Sequence, residues 1–563
     1  MCGILLAVDT LAVETSAPGI FPFPDAPAAD MDYLLEGLEA RGPDGLMAAA
    51  AKGWCLVGSL LQLRGSDPAL MPMRDADQNL LVFNGEIFGG LDVPPGTNDT
   101  EALLGSLGSC ASGEDVVALL SRLRGPWALV YLQRRSGTVW LGRDCMGRRS
   151  LLARLPCAED HRLLLASVSP VNPDTAATWQ PAGEGQGSEG AEEEGGEDTA
   201  GPSSPYQEVP PGIYSLEARR APGEPASALS SEATFSGPAR KVVSSWISAP
   251  VQPAPILLLN RHEWADPVLQ RLGSGTRLLD PTLQCATHGD LAARVLASLD
   301  QAVGVRCRAV DRPHQLPLPG TSPPLEPAPV MLLFSGGLDS TLLAALAHRH
   351  LPPAAPIDLV NICFASGSSP DRLAARAALQ ELARFAPGRR WRLLECDSSL
   401  SDMDRCMPRI LALLAPRQTV MDLNIGAALW LAARGEGLLR LAGAASEQDR
   451  ACEGMAARSM ARVCLLGHGA DELFGGYGRA SCGRCIPSSL ALIPDQSILP
   501  RRRHRTSFRN RGWQGLEEEL QLDVSRLWRR NLGRASATQR LPAIWERGCS
   551  HSLPAPAGRP AGV

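Results

Sequence analysis

Apolar positions along this chain fall into two textures. From residue 2 to about 144 they come as short runs, "CGILLAVDT", "GWCLVGSLLQLR", "NLLVFNGEI", "PWALVYLQ" and "TVWLGRD", the size and composition of half-buried strands. Helical spacing appears between them in "DMDYLLEGLEA" and "TEALLGSLGS". Many strands with a few helices predict a sheet-rich α+β unit. After residue 285 the runs "APVMLLF", "IDLVNICF", "WRLLECD" and "ARVCLLG" are almost wholly apolar and alternate with long helical patterns such as "PDRLAARAALQELARF". That alternation predicts an α/β unit: a doubly wound parallel sheet with helices on both faces.

Between the two textures lies "PAGEGQGSEGAEEEGGEDTAGPSSP", in a stretch with no Lys or Arg from Arg162 to Arg219. Such a segment buries too little apolar surface to offset its ordering entropy. The expected organisation is therefore a first domain over 2–170, an acidic disordered linker over 171–240, a second domain over 285–534, and a patternless Ala/Pro/Gly tail over 535–563. Net charge is −6, without the basic excess of a nucleic-acid binder. The short "RRRHR" at 501–505 reads as a solvated basic loop. No apolar stretch approaches the ~20 residues that span a bilayer, so no membrane insertion is expected. Fifteen cysteines without a framework, and no leader-like start, suit a reducing, cytoplasmic setting. Cys482 and Cys485 form one C-x-x-C with no second pair, so structural zinc is not expected.

Chemistry is concentrated in two places. In "VMLLFSGGLDSTLLAALAH", residues 330–348, a strand-like run breaks on Ser335, Gly336 and Gly337 and resumes as a helix near Leu338, Asp339 and Ser340. Strand ends in parallel sheets are where ligands sit, and exposed N–H groups at a helix start suit an anion, most simply a phosphate. The common P-loop is excluded because it needs a lysine, and the chain has only Lys52 and Lys241. The other place is the N-terminus. Removal of Met1, which a small second residue permits, leaves Cys2 with a thiol and a free amine on one residue, so the amine can act as base for its own nucleophile.

The string S-G-G-L-D-S resembles the PP-loop of ATP pyrophosphatases, which cleave ATP between the α and β phosphates. "ARGPDG", "FNGEIFGG" and "TNDTEALL" follow Cys2 in the order seen in class II glutamine amidotransferases, which have an Ntn-type αββα sandwich and hydrolyse glutamine with an N-terminal cysteine. The two halves together, with "LLGHGADELFGGYGR" at 465–479, resemble the glutamine-dependent asparagine synthetase family. That resemblance implies Cys2 as nucleophile, Asn84 and the Gly85 backbone as oxyanion hole, and Arg64, Glu86 and Asp99 as contacts to glutamine. It also implies ATP bound by Leu333, the 335–340 loop, Phe364 and Gly467, with Mg²⁺ on Asp339 and Asp471. The implied partners are small molecules: glutamine, ATP and an acidic acceptor such as aspartate.

Three departures mark a divergent branch. His468 replaces a family glutamate, and a histidine cannot supply a fixed negative charge. No lysine follows Lys241, and the family's R-[FV]-P-F-L-D segment is missing. The family arginine that clamps the glutamine carboxylate aligns near Leu61, leaving Arg64 as the nearest candidate. Alongside an asparagine-forming enzyme, the sequence therefore leaves open an impaired nucleotide-binding scaffold or a ligase for another carboxylate.

Overall fold

The computed structural model describes residues 2–9, 13–15, 31–170 except 52, 66, 95, 157–159 and 161, then 206–219, 235–243 except 242, 256–270 except 267 and 268, 288–309, 325–470 except 365, 366, 416–419 and 468, and 510, 511, 514, 515 and 518. Its first unit runs β1 (Gly3–Asp9), β2 (Val13–Thr15), α1 (Met31–Arg41), β3 (Gly45–Ala51), β4 (Trp54–Leu60), β5 (Met73–Arg74), β6 (Leu80–Gly85), α2 (Asp99–Gly108), α3 (Gly113–Arg122), β7 (Trp127–Gln133), β8 (Thr138–Arg143), β9 (Leu152–Arg154), β10 (Arg162–Ala166), β11 (Gln207–Glu208), β12 (Gly212–Arg219), β13 (Phe235–Pro238) and β14 (Ile256–His262). The second runs α4 (His288–Arg308), β15 (Val330–Leu333), α5 (Leu338–His350), β16 (Ile357–Cys363), α6 (Pro370–Phe385), β17 (Arg390–Asp397), α7 (Leu400–Leu414), α8 (Val420–Ala432), β18 (Glu436–Gly443), α9 (Glu447–Cys452), β19 (Ala456–Arg458) and β20 (Val463–Leu465).

Strand β1 shows how the first unit is built. Alternate residues point to opposite faces of a strand, so Ile4, Leu6 and Val8 enter the core shared with Phe83 of β6 and Leu129 of β7. Leu5 and Ala7 face the other way, onto Leu34 and Leu38 of α1. Two seven-stranded sheets result, ordered β11-β9-β10-β1-β4-β3-β13 and β2-β14-β12-β8-β7-β6-β5. Helix α1 covers the first, while Leu103 and Leu107 of α2 and Val116 and Leu120 of α3 join the core on the second. The layers read helix, sheet, sheet, helix. Each fully buried leucine in them contributes about 1.5–3 kcal/mol relative to exposure.

The boundary expected at residue 170 moves. Strands β11 to β14 complete both sheets, and β12 lies inside its sheet between β14 and β8, with Tyr214 opposite Leu141 and Arg261. The first unit therefore extends at least to His262. Residues 171–205, which carry most of the acidic run, and the tail 535–563 lie outside the described residues.

In the second unit the order is β19-β18-β17-β16-β15-β20. The four apolar runs are the parallel part, as expected: β15 pairs in parallel with β16 and β20, and β16 with β17. Val330, Leu332 and Ile357 face α4, α5 and α6, whereas Met331, Val360 and Leu394 pack on the opposite face beside Ala432 and Cys452. The expectation of an all-parallel sheet is corrected at one edge, where β18 and β19 run antiparallel. The chain winds outward from β15 through β16 to β17, then returns to place β20 on the other side of β15. This leaves a topological switch point beside β15, where open α/β sheets bind ligands.

Candidate active site

Cys2 stands at the entry to β1, half-buried against the core between the sheets. Leu61, just past β4, meets the thiol twice: its N–H donates to Sγ at 3.5 Å and its carbonyl lies 3.9 Å from Sγ. Burial pushes the thiol up from its ordinary value, and the Leu61 hydrogen bond opposes that rise. The charges of Glu86 and Asp99 also raise it, which places both carboxylates in the same neighbourhood. Buried Arg41 and half-buried Arg149 lie within reach of the thiol's charge; desolvation lowers them to about 9 and about 10, and the cysteine acts against that shift.

Asn84 and Gly85 end β6. The Asn84 side chain is fully buried, and neither its Nδ2 nor its Oδ1 has a hydrogen-bond partner among the described residues. Leaving such a group unpaired costs about 1–3 kcal/mol. Asp99, the first residue of α2, accepts the Ile87 N–H at 2.9 Å and so fixes the backbone next to Glu86. Burial raises Asp99, and burial followed by the Asp99 charge pushes Glu86 up to about 8 against the pull of Arg64.

Arg64 sits among these residues, already engaged. Its Nε lies 3.0 Å from Glu86 Oε2, and the guanidinium donates to the carbonyls of Ile87 at 3.2 Å and Ala309 at 3.3 Å. Its loop is organised by Gln62, whose Nε2 donates to Asp67 O at 2.8 Å and whose Oε1 accepts from Ala69 N, and by Asn98, which caps α2 and donates to Arg64 O. Leu61, at the position of the family clamp, is buried.

The second cluster lies at the carboxyl end of β15. Leu333 ends the strand, Gly336 turns with φ +78°, and α5 begins at Leu338. A Cβ on Gly336 would come within 2.3 Å of the Ala374 and Ala375 backbone, so this turn admits glycine alone. The Ser335 hydroxyl accepts from Gly337 N at 3.2 Å, and the Ser340 hydroxyl donates to Gly337 O at 3.2 Å. Helix α5 has no side-chain cap at Gly337, and Ser335, Leu338 and Asp339 are exposed around its open end. Phe364 follows β16, and Gly467 approaches so closely that a Cβ there would lie 3.2 Å from Asp339 Cβ. Asp471 and His468 lie outside the described residues. Among those described, no three acidic, His or Cys side chains form a metal cage. The uncapped N–H groups and the glycine turn fit a phosphate, and Asp339 fits the one or two carboxylates Mg²⁺ needs beside phosphate oxygens.

Sequence reasoning missed a buried polar brace beneath this loop. Asn361 of β16 donates to Phe334 O at 2.8 Å, and Arg372 donates to Asn361 Oδ1 at 2.6 Å and Cys396 O at 2.8 Å. Three adjacent strand ends are thereby tied together. An asparagine inside the otherwise apolar "IDLVNICF" was the available signal.

Comparisons with known proteins identify the family. A family model described as asparagine synthase matches residues 326–384 and 436–554, so the second unit is an asparagine synthase domain. Over the longer chain, asparagine synthetase domain-containing protein 1 of Gallus gallus is 30% identical, covering 85% of this chain and 77% of its own. The Homo sapiens protein of that description is 28% identical over 95% of this chain and 83% of its own. The chain belongs to the asparagine synthetase domain-containing protein 1 family. A solved glutamine phosphoribosylpyrophosphate amidotransferase from B. subtilis is 14% identical, covers 72% of this chain and 92% of its own, and superposes with a TM-score of 0.26, too low to bear on the argument.

Proposed function

We propose that the protein is a glutamine-hydrolysing amidotransferase of asparagine synthetase type. The Cys2 sulfur attacks the glutamine amide carbon, ammonia leaves, and water releases glutamate from the thioester. The carrying observation is Asn84: a fully buried side-chain amide at the end of β6, with no hydrogen-bond partner among the described residues, is available as an oxyanion donor. The Gly85 backbone joins it, while Glu86 and Asp99 hold the head group. In the second unit the glycine turn, the open end of α5, Leu333, Phe364 and Gly467 bind ATP, and an acidic acceptor, most simply aspartate, is adenylated with loss of pyrophosphate. Asp339 and Asp471 would hold Mg²⁺, which would screen the phosphate charge.

The second unit can be tested apart from Cys2 by supplying ammonia directly. With aspartate, ammonia and Mg·ATP, the expected products are AMP, pyrophosphate and asparagine. AMP and pyrophosphate with a different carboxylate would instead identify another acceptor. Tight nucleotide binding without cleavage would support a second reading, a nucleotide-binding scaffold. One feature of the first unit favours that reading: Arg64 is already paired with Glu86, so a glutamine carboxylate must compete for it.

A further inference from the structure

Residue Arg462 precedes β20 in the second unit, yet its partners are in the first. Its guanidinium grips Asp44 with both arms, Nη1 to Oδ2 at 2.7 Å and Nη2 to Oδ1 at 3.2 Å, and Nη1 also donates to Gln62 O at 3.1 Å. Asp44 Oδ2 in turn accepts the Gln62 N–H at 2.7 Å. The Gln62 N–H and the Leu61 carbonyl belong to one planar peptide unit, which cannot turn at one edge without turning at the other. That same Leu61 carbonyl faces Cys2 Sγ, and the Leu61 N–H donates to it. Thus Arg462 holds Asp44 and the far side of Gln62, and Asp44 holds the peptides on both sides of Leu61, through Leu60 O on one side and the Gln62 N–H on the other, so that the Leu61 N–H and carbonyl face the sulfur.

At the other end of β20, Gly467 lies against Asp339 at the mouth of the glycine turn. Five residues of extended chain, about 16 Å, separate the two ends. A second bridge flanks the thiol pocket: Arg64 donates to Ala309 O just past α4, and Arg306 of α4 stacks on Phe88 with its guanidinium carbon 5.0 Å from the ring centre.

We infer that Arg462 is a positioning residue for the Cys2 nucleophile, supplied by the second unit, so that the β20 segment joins the thiol pocket to the phosphate loop. This deepens the amidotransferase reading and rests on it for its biological meaning, but it can be tested by thiol chemistry alone. Without Arg462, Asp44 loses its anchor; the Asp44 N–H donates to Leu60 O at 2.9 Å, and that carbonyl shares its peptide plane with the Leu61 N–H donated to sulfur, so this N–H is less well fixed and the thiolate is less stabilised.

The test is the pH profile of Cys2 alkylation by iodoacetamide, read from the mass of the N-terminal peptide of the full chain after confirming that Met1 is absent. In Arg462→Met the profile should move to higher pH, with the rate at about pH 7.5 falling about threefold or more. Arg462→Lys, which keeps the charge but not the fork, should recover part of that loss. Asp44→Asn should reproduce the shift, and the double variant should add little to either single one. Arg458→Met, which removes an arginine paired with Glu436 elsewhere in the second unit, should leave the profile in place. An unmoved profile in both Arg462→Met and Asp44→Asn overturns the inference. A shifted profile in a protein that releases no glutamate would uphold the positioning role while removing the amidotransferase reading.

Discussion

Asn84, Glu86 and Asp99 were legible because "FNGEIFGG" and "TNDTEALL" resemble family motifs, and the fold brings Glu86 and Asp99 into the electrostatic neighbourhood of Cys2. The arginines around them were not. With only two lysines in the chain, arginine does nearly all cationic work, and neither composition nor spacing distinguishes the structural contacts of Arg41, Arg149 and Arg462 from ordinary surface charge. Glu86 offers a test at this scale. Its carboxyl rises from an ordinary 4.5 to about 8 on folding. The folded state therefore keeps a proton that the unfolded chain gives up. The resulting stability is fully present below about pH 4.5 and is lost as pH climbs through 8, at up to about 1.4 kcal/mol per pH unit. The Tm of wild type measured from pH 5 to 8 should fall more steeply than that of Glu86→Gln, which has no proton to lose. Equal slopes would mean that Glu86 is ionised throughout.

Among the elements, four parallel strands announced themselves as continuous apolar runs, since both faces of such a strand are covered. Strand β18, "EGLLRLAG", is half-exposed with one fully buried position, and nothing in its pattern distinguishes an antiparallel edge from a parallel one. The glycine turn was read correctly as a strand-to-helix break because no other residue tolerates the conformation. Gly336→Ala places a methyl group against the Ala374 backbone and forces φ +78° on an alanine. We expect it to lower Tm by an amount equivalent to about 1–3 kcal/mol and to weaken Mg·ATP binding at least tenfold by calorimetry. Asp339→Asn, exposed and free of such strain, should keep wild-type Tm while weakening binding of Mg·ATP more than of ATP without metal.

For the whole molecule, the two-domain plan was legible and its first boundary was not. The acidic run looked like the end of a domain, but strands β11 to β14 lie beyond it and return to fill both sheets. Sequence distance hides such a return, because an insertion between two paired strands adds only a slowly growing closure cost. A chain ending at residue 170 leaves β8 with an open apolar edge where β12 belongs. It should be insoluble or melt well below a chain ending at 270; a soluble fragment of 2–170 with a sharp unfolding transition would contradict the assignment of β12. The joins at Arg462 and Arg64 further imply that the thiol pocket functions as part of the whole chain.

The proposed amidotransferase activity stands or falls with Cys2 as the nucleophile that attacks glutamine. The direct measurement is glutamate release from glutamine by the purified full-length protein, with Cys2→Ala as control and the free Cys2 terminus verified by mass. Release that disappears in Cys2→Ala is the predicted result. No release from protein with a free Cys2 would contradict the account and leave the pairing of Arg64 with Glu86 as the mark of a retired site.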